Sequence, residues 1–407
     1  MDGMTYTLKK EIFVCDFDGV RGEMYLIRYG RRQWRVSTPA FFIISELNSG
    51  SAPDVVKKNY AKRFGTKLED VTLASVVDFL EKNCLIEGSE EPPGGDKLGD
   101  RNLWLRTTLV PASFIKRLSF LSYAYNPVFM AIMSTLGLAA VIYTLATTAP
   151  DEMGRSLLSL PLYKIASCYF MVLLIGLFHE LGHSAALMRY GGEPQRIGAA
   201  VYYFMVVFFS DVTAAWQLKQ RQRVIVDLGG LYFQSIAIVM VLVANVWLKY
   251  DSLQYAAILT SASFFTELMP FIKLDGYWVL CDFLGVPNIW AALKEHFMYL
   301  TRRSQRPSEF SMLSAGKKLI MAVFAAASVV YFAYFTLVIV SSVQYAAEVF
   351  YADIAGLIAY NGELGELINF RSVCLYLFDR FTSIIVTLFL VRMVLGLFKQ
   401  CWRAVRR

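Results

Sequence analysis

Residues 165–188 read IASCYFMVLLIGLFHELGHSAALM, a run with no lysine, arginine or aspartate and one glutamate. About 20 apolar residues are enough to carry a helix across the hydrocarbon core of a bilayer. This run is therefore predicted to cross a membrane. It also holds three ionisable groups, His179, Glu180 and His183, close together near one end. Without a partner, an ionised group in a membrane helix costs roughly 3 kcal/mol. Three within five positions call for a partner that satisfies all of them.

The chain has three histidines in all, and two of them flank Glu180 in His-Glu-Leu-Gly-His. Four residues are slightly more than one helical turn, so both imidazoles leave the same face and can ligate one metal ion, with Glu180 beside it. Zinc suits neutral imidazole and makes water easier to deprotonate, so a carboxylate next to it can act as a general base. A catalytic zinc takes a third ligand from the protein. At a similar membrane depth the candidate is Asp275, in Met-Pro-Phe-Ile-Lys-Leu-Asp-Gly (Met269 to Gly276). A chance match, with the histidines bonded to helix carbonyls, is the plain alternative, and it leaves three polar groups in lipid without a common partner.

Other apolar stretches near 20 residues run over 127–147, 224–248, 253–272, 319–343 and 381–398, making six crossings with 165–188. Arg101, Arg106, Lys116 and Arg117 precede the first, and Arg189, Arg196, Lys219, Arg221 and Arg223 lie between the second and third. Lys294, Arg302, Arg303, Arg306, Lys317 and Lys318 separate the fourth from the fifth, and Arg403, Arg406 and Arg407 follow the last. The alternate connections are mainly acidic, with Asp151, Glu152, Asp251, Glu348, Asp353, Glu363 and Glu366. All basic clusters then fall on one side, which places both termini in the cytoplasm.

Composition agrees: of 407 residues 56% are hydrophobic and 18% charged, a balance expected of a polytopic membrane protein. The formal net charge of +7 sits in the connections between apolar runs, so it marks topology and not nucleic-acid binding. Six scattered cysteines lack CxxC spacing and indicate neither a disulfide framework nor a thiolate metal site. The first residues are charged and alternating, with no secretory signal pattern.

Ahead of the membrane part, Ile12 to Phe17, Glu23 to Tyr29 and Arg32 to Val36 are β-branched or aromatic runs that read as strands, the first two separated by the turn signal Asp18-Gly19. Helices follow: one opens at Thr38-Pro39, one runs from Pro53 to Gly65, and one spans about Leu68 to Leu85. Ser89 to Asp100 (SEEPPGGDKLGD) has the composition of a linker. The expected organisation is a small α+β domain over 1–88, a linker and juxtamembrane segment over 89–118, and a membrane-embedded, mainly α domain over 119–407.

His-Glu-Leu-Gly-His in one membrane helix, with Pro270-x4-Asp275-Gly276 further along, resembles the paired motifs of the site-2 protease family of intramembrane zinc metalloproteases. The likeness covers about residues 120 to 285. Asp211-Val212, Trp216 and the basic stretch into Leu228-Gly229-Gly230 are similar to the peptide zinc metalloprotease subgroup. The resemblance implies zinc on His179, His183 and Asp275, Glu180 as base, and Glu267, Pro270 and Gly276 against substrate. One departure is Glu267, where the family has an Asn that donates hydrogen bonds; an ionised Glu only accepts. That subgroup often accompanies peptide-modification or bacteriocin genes. The N-terminal pattern in turn resembles the winged-helix-like PqqD recognition domains that bind leader peptides, with a generic assembly domain as the equal alternative.

These readings lead to an integral protein of the bacterial inner membrane that cleaves a ribosomally made, bacteriocin-like precursor or another membrane-associated peptide. Two alternatives stay open: a regulatory protease cutting a transmembrane anti-sigma factor, and a non-catalytic scaffold for peptide export or immunity. Asp227 and Gln234 either line the site or pack helices, Arg392 snorkels to the interface, and His296 is a solvated loop residue. The aromatic-rich stretch 201–209 is either a re-entrant hairpin with a free edge for substrate or ordinary membrane packing.

Overall fold

The computed structural model describes residues 6–19, 22–29, 32–89, 103–148, 159–202, 205–301 and 309–359. The chain divides into two compact units, residues 1–200 with 206–318, and residues 201–205 with 319–407.

In the first unit, strands β1 (Phe13–Gly19), β2 (Gly22–Tyr29) and β3 (Arg32–Ser37) form an antiparallel meander in the order β1-β2-β3. Cys15 pairs with Leu26, and Ile27 with Trp34. Helices α1 (Thr38–Asn48), α2 (Pro53–Phe64) and α3 (Asp70–Lys82) follow. Ser37 accepts the N–H of Ala40 to start α1, next to Pro39 in its first turn, and Gly65 closes α2 in the left-handed conformation at φ 68°. Ile27 from the sheet and Ile43, Ile44, Leu47, Val56 and Leu80 from the helices form one buried core. The three strands and three helices appear in the expected order.

The juxtamembrane stretch is more structured than its sequence suggests. Leu103–Val110 forms strand β4, followed by helix α4 (Ala112–Arg117) and a 3-10 turn over Ser119–Tyr125. Helix α5 (Pro127–Ala146) opens on Asn126, whose side chain accepts the N–H groups of Val128 and Phe129. Then come α6 (Leu162–Arg189), strands β5 (Ile197–Tyr202) and β6 (Met205–Ser210), and a 3-10 turn over Thr213–Gln217. Residues 201–202 and 205–209 thus lie in strands, in a sheet of order β4-β5-β6. Helices α7 (Gln220–Asp227), α8 (Gly229–Leu248), α9 (Asp251–Leu268), α10 (Asp275–Leu284), α11 (Ile289–Leu300) and α12 (Glu309–Met312) follow, and α13 (Ala315–Ala359) runs on into the second unit.

The protein is mainly helical, and four described segments are long and apolar enough to cross a membrane: Pro127–Ala146, Leu162–Arg189, Gln220–Leu248 and Ala315–Val338. The expected crossing over 253–272 is a helix, α9, but it carries Ser252, Thr260, Ser261, Ser263, Thr266 and Glu267 and falls short of the other four in apolarity. Its neighbours explain the composition. Leu253, Ala256, Ala257, Thr260 and Ser261 are buried against protein, where small and hydroxyl-bearing residues allow close helix approach. The expected crossing over 381–398, with Arg392, Cys374, Cys401 and the final basic residues, lies outside the described residues.

Helices α6, α8 and α9 build the centre of this unit. Lys164 Nζ lies 2.5 Å from Asp251 Oδ2 and Ser167 Oγ donates to Ser252 Oγ at 2.8 Å, so α6 and α9 start together and run in parallel. Helix α8 returns between them, with Val241 packed near Ile175 and its first residue, Gly229, against Gly182 of α6. A β-carbon on Gly182 would strike the Gly229 carbonyl, so the two backbones touch there. The buried Tyr125 hydroxyl donates to the Gly182 carbonyl at 2.8 Å beside this contact.

Candidate metal centre

His179 and His183 project from the same face of α6, both buried. Each is oriented through its other ring nitrogen. His183 Nδ1 lies 2.8 Å from the Val226 carbonyl oxygen, which can only accept, so Nδ1 carries the proton and Nε2 holds a lone pair. His179 Nδ1 lies 2.9 Å from Gln234 Oε1. The Gln234 amide nitrogen donates to the Thr260 carbonyl (3.1 Å) and Ser263 Oγ (2.8 Å), which leaves its oxygen facing the imidazole. His179 is therefore protonated on Nδ1 as well.

Both Nε2 atoms turn toward Asp275, the first residue of α10. The two nitrogens are 3.2 Å apart, and Asp275 Oδ2 lies 3.0 Å from that of His179 and 3.2 Å from that of His183. Three electron-pair donors thus face one another. Among the described residues no hydrogen-bond donor reaches Asp275 Oδ2, although the atom is buried. Such a triangle is repulsive unless a proton or a metal cation is shared within it. A tetrahedral ion with ligands at 2.0–2.1 Å spaces them about 3.3 Å apart, close to these separations. Gly230 supplies the room: a β-carbon there would meet Nε2 of both histidines. The arrangement and the donor chemistry, two imidazoles and a carboxylate, fit zinc.

Glu180 sits next to His179 on α6, and its carboxylate accepts a hydrogen bond from the Ser210 backbone at the end of β6. Ser184 Oγ and Ser210 Oγ are 2.9 Å apart on the same side. Strand β6 therefore lies along the face of α6 that carries Glu180. Gly176 makes this approach possible, since a β-carbon there would press on the Phe208 ring.

The remaining expected residues fall at and around this cluster. Glu267 Oε2 lies 3.2 Å from His179 Nδ1, on the last turn of α9. Pro270 is in the loop between α9 and α10, and Gly276 packs so closely on the Leu268 carbonyl that no side chain fits. Asp227 ends α7 with its carboxyl group facing that of Asp282. His296 stacks its ring near Phe310, 4.2 Å between centroids. Cys281 is buried on α10, and burial pushes its thiol up to about 12, so it remains a neutral thiol and is not poised as a ligand or nucleophile. Two contributors were not assigned from the sequence: the Val226 carbonyl and the space at Gly230. A backbone oxygen leaves no trace in residue type, but paired glycines beside a polar membrane helix do signal close approach.

Compared with known proteins, the chain is 25% identical over 142 residues to the Bacillus subtilis (strain 168) protein named "Putative peptide zinc metalloprotease protein YydH", a match covering 34% of this chain and 56% of the relative. The chain thus spans about half the length of the curated relative it matches. No protein-family model matches the chain. No solved structure matches it.

Proposed function

We propose that this chain is an integral-membrane zinc endopeptidase of the site-2 type, with His179, His183 and Asp275 as ligands and Glu180 as general base, acting on a ribosomally made precursor peptide. The observation that carries this reading is the triangle of two Nε2 lone pairs and a buried carboxylate oxygen, 3.0–3.2 Å on a side, with Glu180 adjoining it. The name borne by the Bacillus subtilis relative supports the same chemistry.

Zinc bound there would supply a Lewis acid that polarises the scissile carbonyl and eases deprotonation of water. Glu180 takes the proton from the attacking water and returns it to the leaving nitrogen. The Ser210 contact holds its carboxylate in place. Strand β6 is at the edge of its sheet, so an extended peptide can add to it and lie beside Glu180 with its amides freed from helical bonding. Glu267, Pro270 and Gly276 flank that approach, and Glu267, an acceptor where the family has a donor, suits a substrate amine near the cut bond.

In this reading residues 1–88 capture the leader part of the peptide, the linker and juxtamembrane segment over 89–118 tether it, and 119–407 cut it. Helix α9 crosses the bilayer with its neighbours, and the basic connections put both termini in the cytoplasm of a bacterial cell.

Metal analysis of the purified full chain in detergent tests the reading. One zinc per chain is expected, and none after His179→Ala, His183→Ala and Asp275→Ala are combined. Glu180→Gln should keep the zinc and lose about 10²–10⁴-fold in kcat on a quenched fluorogenic peptide library. Zinc retained by the triple variant, or substantial turnover by Glu180→Gln, would overturn it.

A further inference from the structure

Two of the three converging side chains are oriented by the same short helix, α7. His183 is held by the Val226 carbonyl near the end of α7. Asp275 begins α10, and the far end of α10 is gripped by the start of α7. Gln220 Nε2 donates to the carbonyls of Asp282 (2.6 Å) and Phe283 (2.8 Å), and Arg223 Nε donates to Asp282 Oδ1 (2.8 Å). Asp282 lies about two turns along α10 from Asp275, so a shift of Asp282 moves the ligand as part of one rigid rod. Gln220, Arg223 and Asp227, spaced for one helix face, all meet Asp282.

Arg223 is 2% exposed, although its sequence position suggested a basic connection at the membrane surface. Its Nη1 also donates to the Leu218 carbonyl at 3.0 Å. The flat side of the guanidinium is covered by the Phe17 ring, 5.0 Å from Cζ to centroid, and Phe17 in turn stacks on Trp216 at 5.7 Å. Phe17 belongs to β1 of the N-terminal sheet, and Gln33 of β3 donates to the Thr213 carbonyl at 2.8 Å beside it. Two directed donors and a planar face are used together, which a lysine cannot reproduce.

We propose that Arg223 is a positioning residue of the metal centre, holding Asp275 in register with His183 through Asp282, and that the N-terminal sheet sustains this geometry through Phe17. This inference rests on the zinc-peptidase reading. It makes the N-terminal domain a determinant of metal retention as well as of peptide capture.

The test uses the full chain in detergent, loaded with zinc, and follows zinc loss into excess chelator. Arg223→Lys and Asp282→Asn should each speed the loss about tenfold or more while the protein stays folded, as expected when the support of a ligand is removed. The double variant should be no faster than the worse single one, because both break one link. Phe17→Leu should speed it a few-fold. In the cobalt-substituted protein the d–d absorption of a tetrahedral site should weaken in the same order, and kcat should fall while KM holds. Folded Arg223→Lys and Asp282→Asn proteins that keep zinc like the wild type would overturn the positioning role, and an unaffected Phe17→Leu would overturn the part given to the N-terminal sheet. If the Arg223 variants do not fold, Gln220→Ala decides: faster zinc loss supports the clamp, and wild-type retention overturns it. A wild-type chain that binds no zinc at all would instead sink the peptidase reading.

Discussion

Helices α6 and α9 are joined by polar residues at both ends, and the two clusters differ in whether the chain completes them. At the starting end, Lys164 meets Asp251 at 2.5 Å, Ser167 bonds Ser252, and the Ser252 hydroxyl donates to the Lys164 carbonyl. Each charge there has its opposite, each donor its acceptor. At the other end His179, His183 and Asp275 bring two lone pairs and a carboxylate together at a point that Gly230 leaves clear, with Glu267 against the far nitrogen of His179. The first cluster is closed by its own side chains, and the second offers the donor set of a cation site. Polar residues in a membrane bundle thus divide by charge balance: a balanced cluster holds helices together, and an unbalanced one marks a ligand.

The contrast is sharpest at Gly230. A methyl group there would fall on Nε2 of both histidines, so Gly230→Ala should abolish stoichiometric zinc while leaving the helical circular-dichroism signal intact. Normal zinc content in a folded Gly230→Ala protein would show that the space beside the imidazoles is not where the ion sits.

A smaller effect is expected from Gln234→Leu, which removes the acceptor that fixes the His179 tautomer but leaves all three ligands. Zinc affinity should drop about 10–100-fold, read by chelator competition. No change would mean that Glu267, 3.2 Å from the same nitrogen, orients the ring alone.

The smallest effect belongs to the balanced cluster. Lys164→Met breaks an ion pair whose partners are 24% and 48% exposed, so it should lower Tm by no more than a few degrees. Zinc content and kcat should match the wild type. Loss of zinc in this variant would erase the distinction between the two ends.

Much of the centre was legible because its decisive spacing is local. A spacing of four positions between two histidines puts both on one helix face whatever surrounds that helix. The N-terminal strands and their turns were legible for the same reason, since Phe13–Gly19, Gly22–Tyr29 and Arg32–Ser37 alternate and pair with sequence neighbours. Strand β4 was not, because its partner β5 lies far along the chain and nothing near Leu103 announces it. Asp275 was reached by depth and by its motif, from a helix that the apolar count alone describes poorly.

The sequence by itself determined that this is a membrane protein, where His179, Glu180 and His183 stand on their helix, and which carboxylate could join them. Each follows from periodicity, composition or a short motif, which are properties of neighbouring residues. Tertiary structure alone decided what surrounds them. Gln234, readable as packing or as site, became the partner of His179 because Thr260 and Ser263 of α9 take up its amide nitrogen. Arg223, readable as a topology signal, became a buried link from the N-terminal sheet to Asp282. Both outcomes depend on contacts between distant helices, and a side chain's sequence neighbours carry no record of which distant group will satisfy it.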